Sequence, residues 1–146
     1  MSKFNRALFI FLVTAIVVAL CFIIYMTVVP QKADKFTEFY VLNTEGNAQD
    51  YPEQVIVGNT VDIFLGVVNH EYQPASYQVY IKMNGIEVGE ANIGTLEHNQ
   101  KWEEKVSFTP QVIGQRQSVD FILYKNGETE PYQKEPLRLY IDVVSQ

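Results

Sequence analysis

The 146-residue sequence carries one cysteine, Cys21, so no disulfide can close within the chain. Its two histidines, His70 and His98, lie far apart, and without further cysteines they do not supply a Cys/His zinc site. No Asn-x-Ser/Thr sequon occurs, which excludes N-glycosylation of this chain. There is no glycine-rich phosphate loop, nucleophile elbow or catalytic-serine context, so enzymatic chemistry is not expected. Asp50 with Glu53, Glu103 with Glu104, and Glu128 with Glu130 are acidic pairs, but none follows the Asp-x-Asp-x-Asp-Gly pattern of a calcium loop. The sequence therefore leads us to expect neither metal nor cofactor. Positive charge is scarce as well. From Glu38 to Asp142 there are sixteen Asp and Glu, against seven Lys and Arg. A surface so acidic argues against nucleic acid and against lying on anionic lipid, both of which need a basic face.

What the chain does have is one long apolar run, Ala7 to Val29, without a charged residue. As a helix these residues would span about 34 Å, enough to cross a hydrocarbon core of about 30 Å. Lys3 and Arg6 precede the run as they would in a signal peptide, but it is too long for a cleaved signal and ends without small residues around a cleavage site. A retained signal anchor is expected, ended by Pro30, which lacks an N–H and disfavours helix at the residue before it. Cys21, in the middle of the run, reads as a small apolar residue facing lipid or a partner helix. Basic residues flank the span on both sides, Lys3 and Arg6 before it, Lys32 and Lys35 after it. The shortness of the N-terminal tail then decides the orientation: N-terminus in the cytoplasm, C-terminal domain outside, in a single-pass protein of the cell membrane. The expected division is a tail 1–6, a signal anchor 7–29, a linker 30–35 and a domain 36–146.

Beyond the linker the periodicity is that of strands. Phe36 to Thr44 is aromatic and β-branched, and Gln54 to Val57 is a short apolar piece. Val61, Ile63, Leu65 and Val67 fall on one face of a strand that Asn69-His70-Glu71 is expected to interrupt. After Pro74, Ala75, Tyr77, Val79, Ile81 and Met83 alternate with polar residues, and Asn84-Gly85 is a hairpin signal of the type I′ kind. Ile86 to Gly89 should return antiparallel, with a separate weaker strand at Ile93 to Leu96. Trp102, Glu104, Val106 and Phe108 share a parity, with Trp102 and Tyr77 expected to face the core. Thr109 to Gln117 reads as a loop, followed by a strand through Val119, Phe121 and Leu123 and a second turn at Asn126-Gly127. An irregular stretch from Glu128 to Pro136 precedes the last strand, Leu137 to Val143. Seven to nine such strands predict an all-β, antiparallel β-sandwich of immunoglobulin or fibronectin III type, preceded by one transmembrane α-helix.

Two groups of residues are candidates for function. Asn69-His70-Glu71 is the one place where a histidine adjoins a carboxylate at a strand end. Adjacent strand residues face opposite sides, so His70 and Glu71 need a bend to cooperate, and Asn69 is the natural partner of the backbone in the following turn. Tyr72, Tyr80 and Tyr132 are amphipathic aromatics of the kind favoured at contact surfaces. Together these six residues are the expected interaction surface. His98 reads as a lone surface histidine without a partner.

The pattern Phe36-Thr-Glu-Phe-Tyr-Val-Leu42, Gly46-x-Ala48, Tyr51-Pro52, Gly66-Val-Val-Asn-His-Glu71, Tyr77-x-Val79, Leu96 to Trp102-Glu103, Phe121-Ile-Leu-Tyr124 and Glu130-Pro-Tyr132 resembles an archaeal membrane-protein family known as domain of unknown function sixteen-sixteen. The resemblance implies an archaeal origin and an extracytoplasmic immunoglobulin-like domain. It brings no activity and no assigned site. Family members commonly carry several spans, where this sequence has one. The expected function is a non-enzymatic, membrane-anchored envelope protein whose β-sandwich contacts another protein of the membrane or envelope. The alternatives are an accessory subunit of a larger membrane complex and an envelope tether or glycan-binding module.

Overall fold

The computed structural model describes residues 2–29 and 33–146. The predicted stop at Pro30 and the beginning of the linker 30–35, including Lys32, lie outside the described residues. The chain forms two compact units that divide between Asp34 and Lys35.

The first unit contains one helix, α1 (Lys3–Val28). It starts a turn before the apolar run because Ser2 caps it, its hydroxyl accepting the Asn5 N–H at 3.3 Å. Thr14 donates its hydroxyl to the Ile10 carbonyl at 2.8 Å, and Thr27 bonds back to the carbonyls of Ile23 and Ile24. Both threonine hydroxyls inside the run are thereby satisfied by the helix itself, as an apolar surrounding requires. None of the helix residues is buried. By length and composition α1 can cross a membrane.

The second unit is a β-sandwich of eight strands: β1 (Phe36–Leu42), β2 (Gln54–Ile56), β3 (Val61–His70), β4 (Ala75–Met83), β5 (Ile86–Leu96), β6 (Lys101–Phe108), β7 (Gly114–Lys125) and β8 (Leu137–Val144). One sheet has the order β1-β3-β6 and the other β2-β8-β7-β4-β5. All pairings are antiparallel except β2 with β8. The alternation read from the sequence becomes the core. Ile63, Leu65 and Val67 of β3 face Val79, Ile81, Val119 and Phe121 of the opposite sheet, each of them wholly buried. Tyr77 is buried with them, and Trp102 is half-buried against the same cluster. The sandwich type predicted from strand number and spacing is the fold observed.

Three strand boundaries differ from expectation. Asn69 and His70 do not interrupt β3; they complete it, because Phe36 and Thr37 of β1 remain in register with them. Ile86–Leu96 is one strand rather than two, since β4 pairs with its whole length across register shifts at Tyr77/Gln78 and Ile81/Lys82. The glycines that seemed to divide it sit in or beside those irregularities. β7 begins at Gly114, inside the predicted loop, with an irregularity before Gln117. Asn84-Gly85 is the predicted type I′ turn, with φ of 48° and 83°.

Gly66 is the position in β3 where no side chain fits. A Cβ there would strike the ring of Tyr40, which lies across it and donates its hydroxyl to Glu103. Burial and then the Glu103 carboxylate push the Tyr40 phenol up to about 12. Gly66→Ala is therefore expected to swing Tyr40 outward, at a cost of about 1–2 kcal/mol. Spectrophotometric titration should then show the Tyr40 phenol ionising closer to pH 10; an unchanged titration would mean that the ring had not moved.

Candidate functional site

The inward row of β3 does not stop at its apolar residues. Val61, Ile63, Leu65 and Val67 continue as Asn69 and then Glu71, all buried. Asn69 makes the turn possible. Its Oδ1 accepts the Glu71 N–H at 2.7 Å, while its Nδ2 donates to the carbonyls of Gln73 (2.8 Å) and Leu96 (2.7 Å). The bend places Tyr72 at φ +59°. The predicted bonding of Asn69 to the following turn is thus present, and its third bond fastens the turn to the end of β5.

Glu71 is the centre of a buried polar cluster. Its Oε1 accepts the Thr37 hydroxyl at 2.9 Å and the Tyr132 hydroxyl at 3.2 Å, and lies 3.3 Å from the Lys125 ammonium. Because Thr37 gives its proton to Glu71, the Tyr77 hydroxyl 2.8 Å away must donate to Thr37. Tyr132 also takes the Thr37 backbone N–H at 2.7 Å, and Lys125 sits 5.1 Å from the centre of the Tyr132 ring. Burial pushes the Glu71 carboxyl up, but the Thr37, Lys125 and Tyr132 donors outweigh it and hold it below the usual glutamate value. A general acid needs the opposite shift, so this carboxylate is held as an anion that joins β1, β3, β4, β7 and the segment before β8.

His70 points the other way, as the strand period demands. Its ring lies 4.7 Å from that of Phe36, with Nδ1 3.1 Å from Asn99 Oδ1 and Nε2 3.4 Å from Glu38 Oε2. His70 and Glu71 therefore do not cooperate. Tyr72, at the rim, stacks on His98 at 4.4 Å, and its N–H donates to His98 Nδ1 at 3.1 Å. His98 is accordingly not the partnerless residue expected from sequence.

Of the six predicted surface residues, the structure corrects two. Asn69 and Glu71 are 0% and 5% exposed and are spent on internal bonds, so they offer nothing to a partner. His70 and Tyr72 border one end of the sandwich, Tyr132 is half-buried over the Glu71 cluster, and Tyr80 lies apart from all of them. Tyr80 meets Tyr124 edge to face at 5.5 Å and lines a groove of about 370 Å³ with Gln78, Asn92 and Glu128. Thr37 and Lys125 were missed. The signal for them was present: each continues an inward apolar row, Thr37 with Phe39 and Val41, Lys125 with Phe121 and Leu123. Among the described residues, no three His, Cys, Asp or Glu side chains are grouped as a metal would need.

An immunoglobulin-like sandwich with a tyrosine-capped polar end is the class that this geometry defines. Solved structures with the same fold include the CARDB domain of a Pyrococcus furiosus protein. Its solution structure is 16% identical to this chain with a TM-score of 0.53, over 77% of this chain and all of that one. Its crystal structure, in complex with di-metal ions, is 15% identical with a TM-score of 0.54, over 78% and 99%. A β-glucosidase from Listeria innocua, in complex with glucose, is 10% identical with a TM-score of 0.50, and the match covers 78% of this chain but 17% of the enzyme. No curated protein matches. The family model described as Domain of unknown function (DUF1616) matches residues 30–143, and the chain belongs to that family.

Proposed function

We propose that this chain is a single-span protein of the cell membrane, N-terminus in the cytoplasm, whose immunoglobulin-like domain stands outside and contacts another protein without catalysing a reaction. The observation that carries this reading is one helix able to cross a membrane, followed after a few residues by a sandwich whose buried carboxylate serves structure. The CARDB domain was crystallised in complex with di-metal ions; among the described residues of this chain no three His, Cys, Asp or Glu side chains are grouped in that way, and the reading proposed here uses no metal. Orientation is tested by protease added to sealed cells. Digestion of the C-terminal domain is expected, and a protected domain would reverse the topology. Crosslinking in native membranes, then mild solubilisation and sizing, tests the function. Crosslinks from the domain's lysines to a discrete partner are expected. Turnover of glycans, esters or peptides by the purified chain would refute the non-enzymatic reading.

Glycan contact is a second reading, favoured by the Tyr80–Tyr124 groove, where two aromatic rings stand beside the amides of Gln78 and Asn92. Tyr80→Ala should then weaken retention on envelope polysaccharide; unchanged retention would leave protein contact alone.

A further inference from the structure

A sandwich has open strand edges, which soluble proteins normally blunt against pairing with other chains. Here most of them are blunted. β5 carries two irregularities, β2 is three residues long, and β6 lies against β5. The free side of β1 is capped by side chains, Tyr132 taking the Thr37 N–H and Tyr51 donating to the Val41 carbonyl at 2.8 Å. The exception is β8. On its side away from β7 it is paired by β2 only at Asp142–Val144, which leaves Leu137 to Ile141 without a neighbouring strand. Beside that stretch lies a cavity of about 340 Å³ between Phe39, Val41 and Tyr51 on one side and Leu137 and Leu139 on the other.

The alternation of β8 fixes which groups are exposed on this edge. Asp142 donates its N–H outward to Glu53, and Val144 accepts outward from Val57. Two residues earlier and again two before that, Tyr140 and Arg138 must therefore direct both N–H and C=O outward, while Leu137, Leu139 and Ile141 bond to β7.

We propose that this edge pairs antiparallel with the same edge of a second copy of the chain, about a twofold axis at Leu139. The proposal rests on the reading of the domain as a protein-contact module and names the partner. In that register Arg138 faces the Tyr140 of the other copy, and the reverse, so the residues with outward backbone groups bond to each other and form four hydrogen bonds. The side chains are self-complementary: the guanidinium of Arg138 is neutralised by Asp120 at 2.6 and 2.9 Å, and it meets the exposed ring of Tyr140, which Arg116 of the same chain also approaches to 5.4 Å from the ring centre. The free stretch is five residues, and Pro136 ends the incoming strand where β2 would obstruct it.

The test uses the full chain in detergent with Cys21 replaced by serine. Leu139→Cys should yield a disulfide-linked dimer on mild oxidation, because non-hydrogen-bonded partners have Cα atoms about 4.5 Å apart. Leu137→Cys should crosslink at least tenfold less, its twin lying about 14 Å along the strand. Tyr140→Pro removes an outward N–H without touching the β7 ladder, and should raise the dimer dissociation constant tenfold or more, with little change in the melting temperature measured at concentrations where both proteins are monomeric. Equal crosslinking at 137 and 139, a dimer that survives Tyr140→Pro, or a monomer at every concentration overturns the proposal. A monomer that still crosslinks to a different protein in native membranes would spare the protein-contact reading and remove only the self-pairing; one that crosslinks to nothing would remove both.

Discussion

Asn69→Ala is expected to cost the sandwich about 3–5 kcal/mol, a large part of the stability of a domain this size. The side chain is wholly buried and makes three bonds, all to backbone: the Glu71 N–H and the carbonyls of Gln73 and Leu96. Truncation leaves the buried Glu71 N–H and Leu96 carbonyl without partners, at roughly 1–3 kcal/mol each, and the partly buried Gln73 carbonyl at less, with less than full additivity. Asn69→Asp should be no milder, since it keeps the acceptor but turns a carboxylate oxygen toward two carbonyls. His70→Ala, on the other face of the strand, should lose under about 1 kcal/mol, because its partners Glu38 and Asn99 are at the surface. Denaturant midpoints with unchanged slopes would measure all three. If Asn69→Ala lost less than about 1 kcal/mol, water would have entered to replace the amide.

These effects explain why some of the protein was legible in the sequence and some was not. The sandwich was readable because Val61 to Val67 and Ala75 to Met83 alternate with period two, and each inward row is buried in the structure. The boundaries failed where polarity was taken for surface. Asn69 ended β3 on paper since asparagine favours turns, yet in the fold it occupies an inward position and serves the turn from within the core. The same error put Glu71 on an interaction surface. Its burial depends on Thr37, Lys125 and Tyr132, which lie 34, 54 and 61 residues away by number, and no local pattern could bring them together. Tyr80 has the outward parity of β4, opposite to that of Tyr77 and Val79, and its half-buried place at the groove follows from that parity.

Glu71→Gln should be the more informative variant because its effect depends on pH. At neutral pH the amide cannot balance Lys125, whose side chain is only 19% exposed, and the loss should be about 2–4 kcal/mol. That is less than for a fully buried pair, since the lysine still reaches solvent. The native carboxyl is held below its unfolded value of about 4.5. Its depressed value means that the folded state binds the proton less readily than the unfolded state. The stabilisation is therefore complete above about pH 4.5 and disappears as pH falls through the folded value. The gap between wild type and Glu71→Gln should narrow over that acid range, where the native side chain becomes neutral too. Lys125→Met should act in the opposite direction on the titration. Without the ammonium, burial opposes only the Thr37 and Tyr132 hydroxyls, the Glu71 carboxyl rises, and the loss of stability that begins near pH 4.5 becomes smaller because the folded and unfolded values lie closer together. Stability curves from pH 7 to 3 for wild type, both single variants and the double variant would separate the pair from the rest of the cluster. Parallel curves for wild type and Glu71→Gln throughout would mean that Glu71 is not the anion holding this end of the sandwich together.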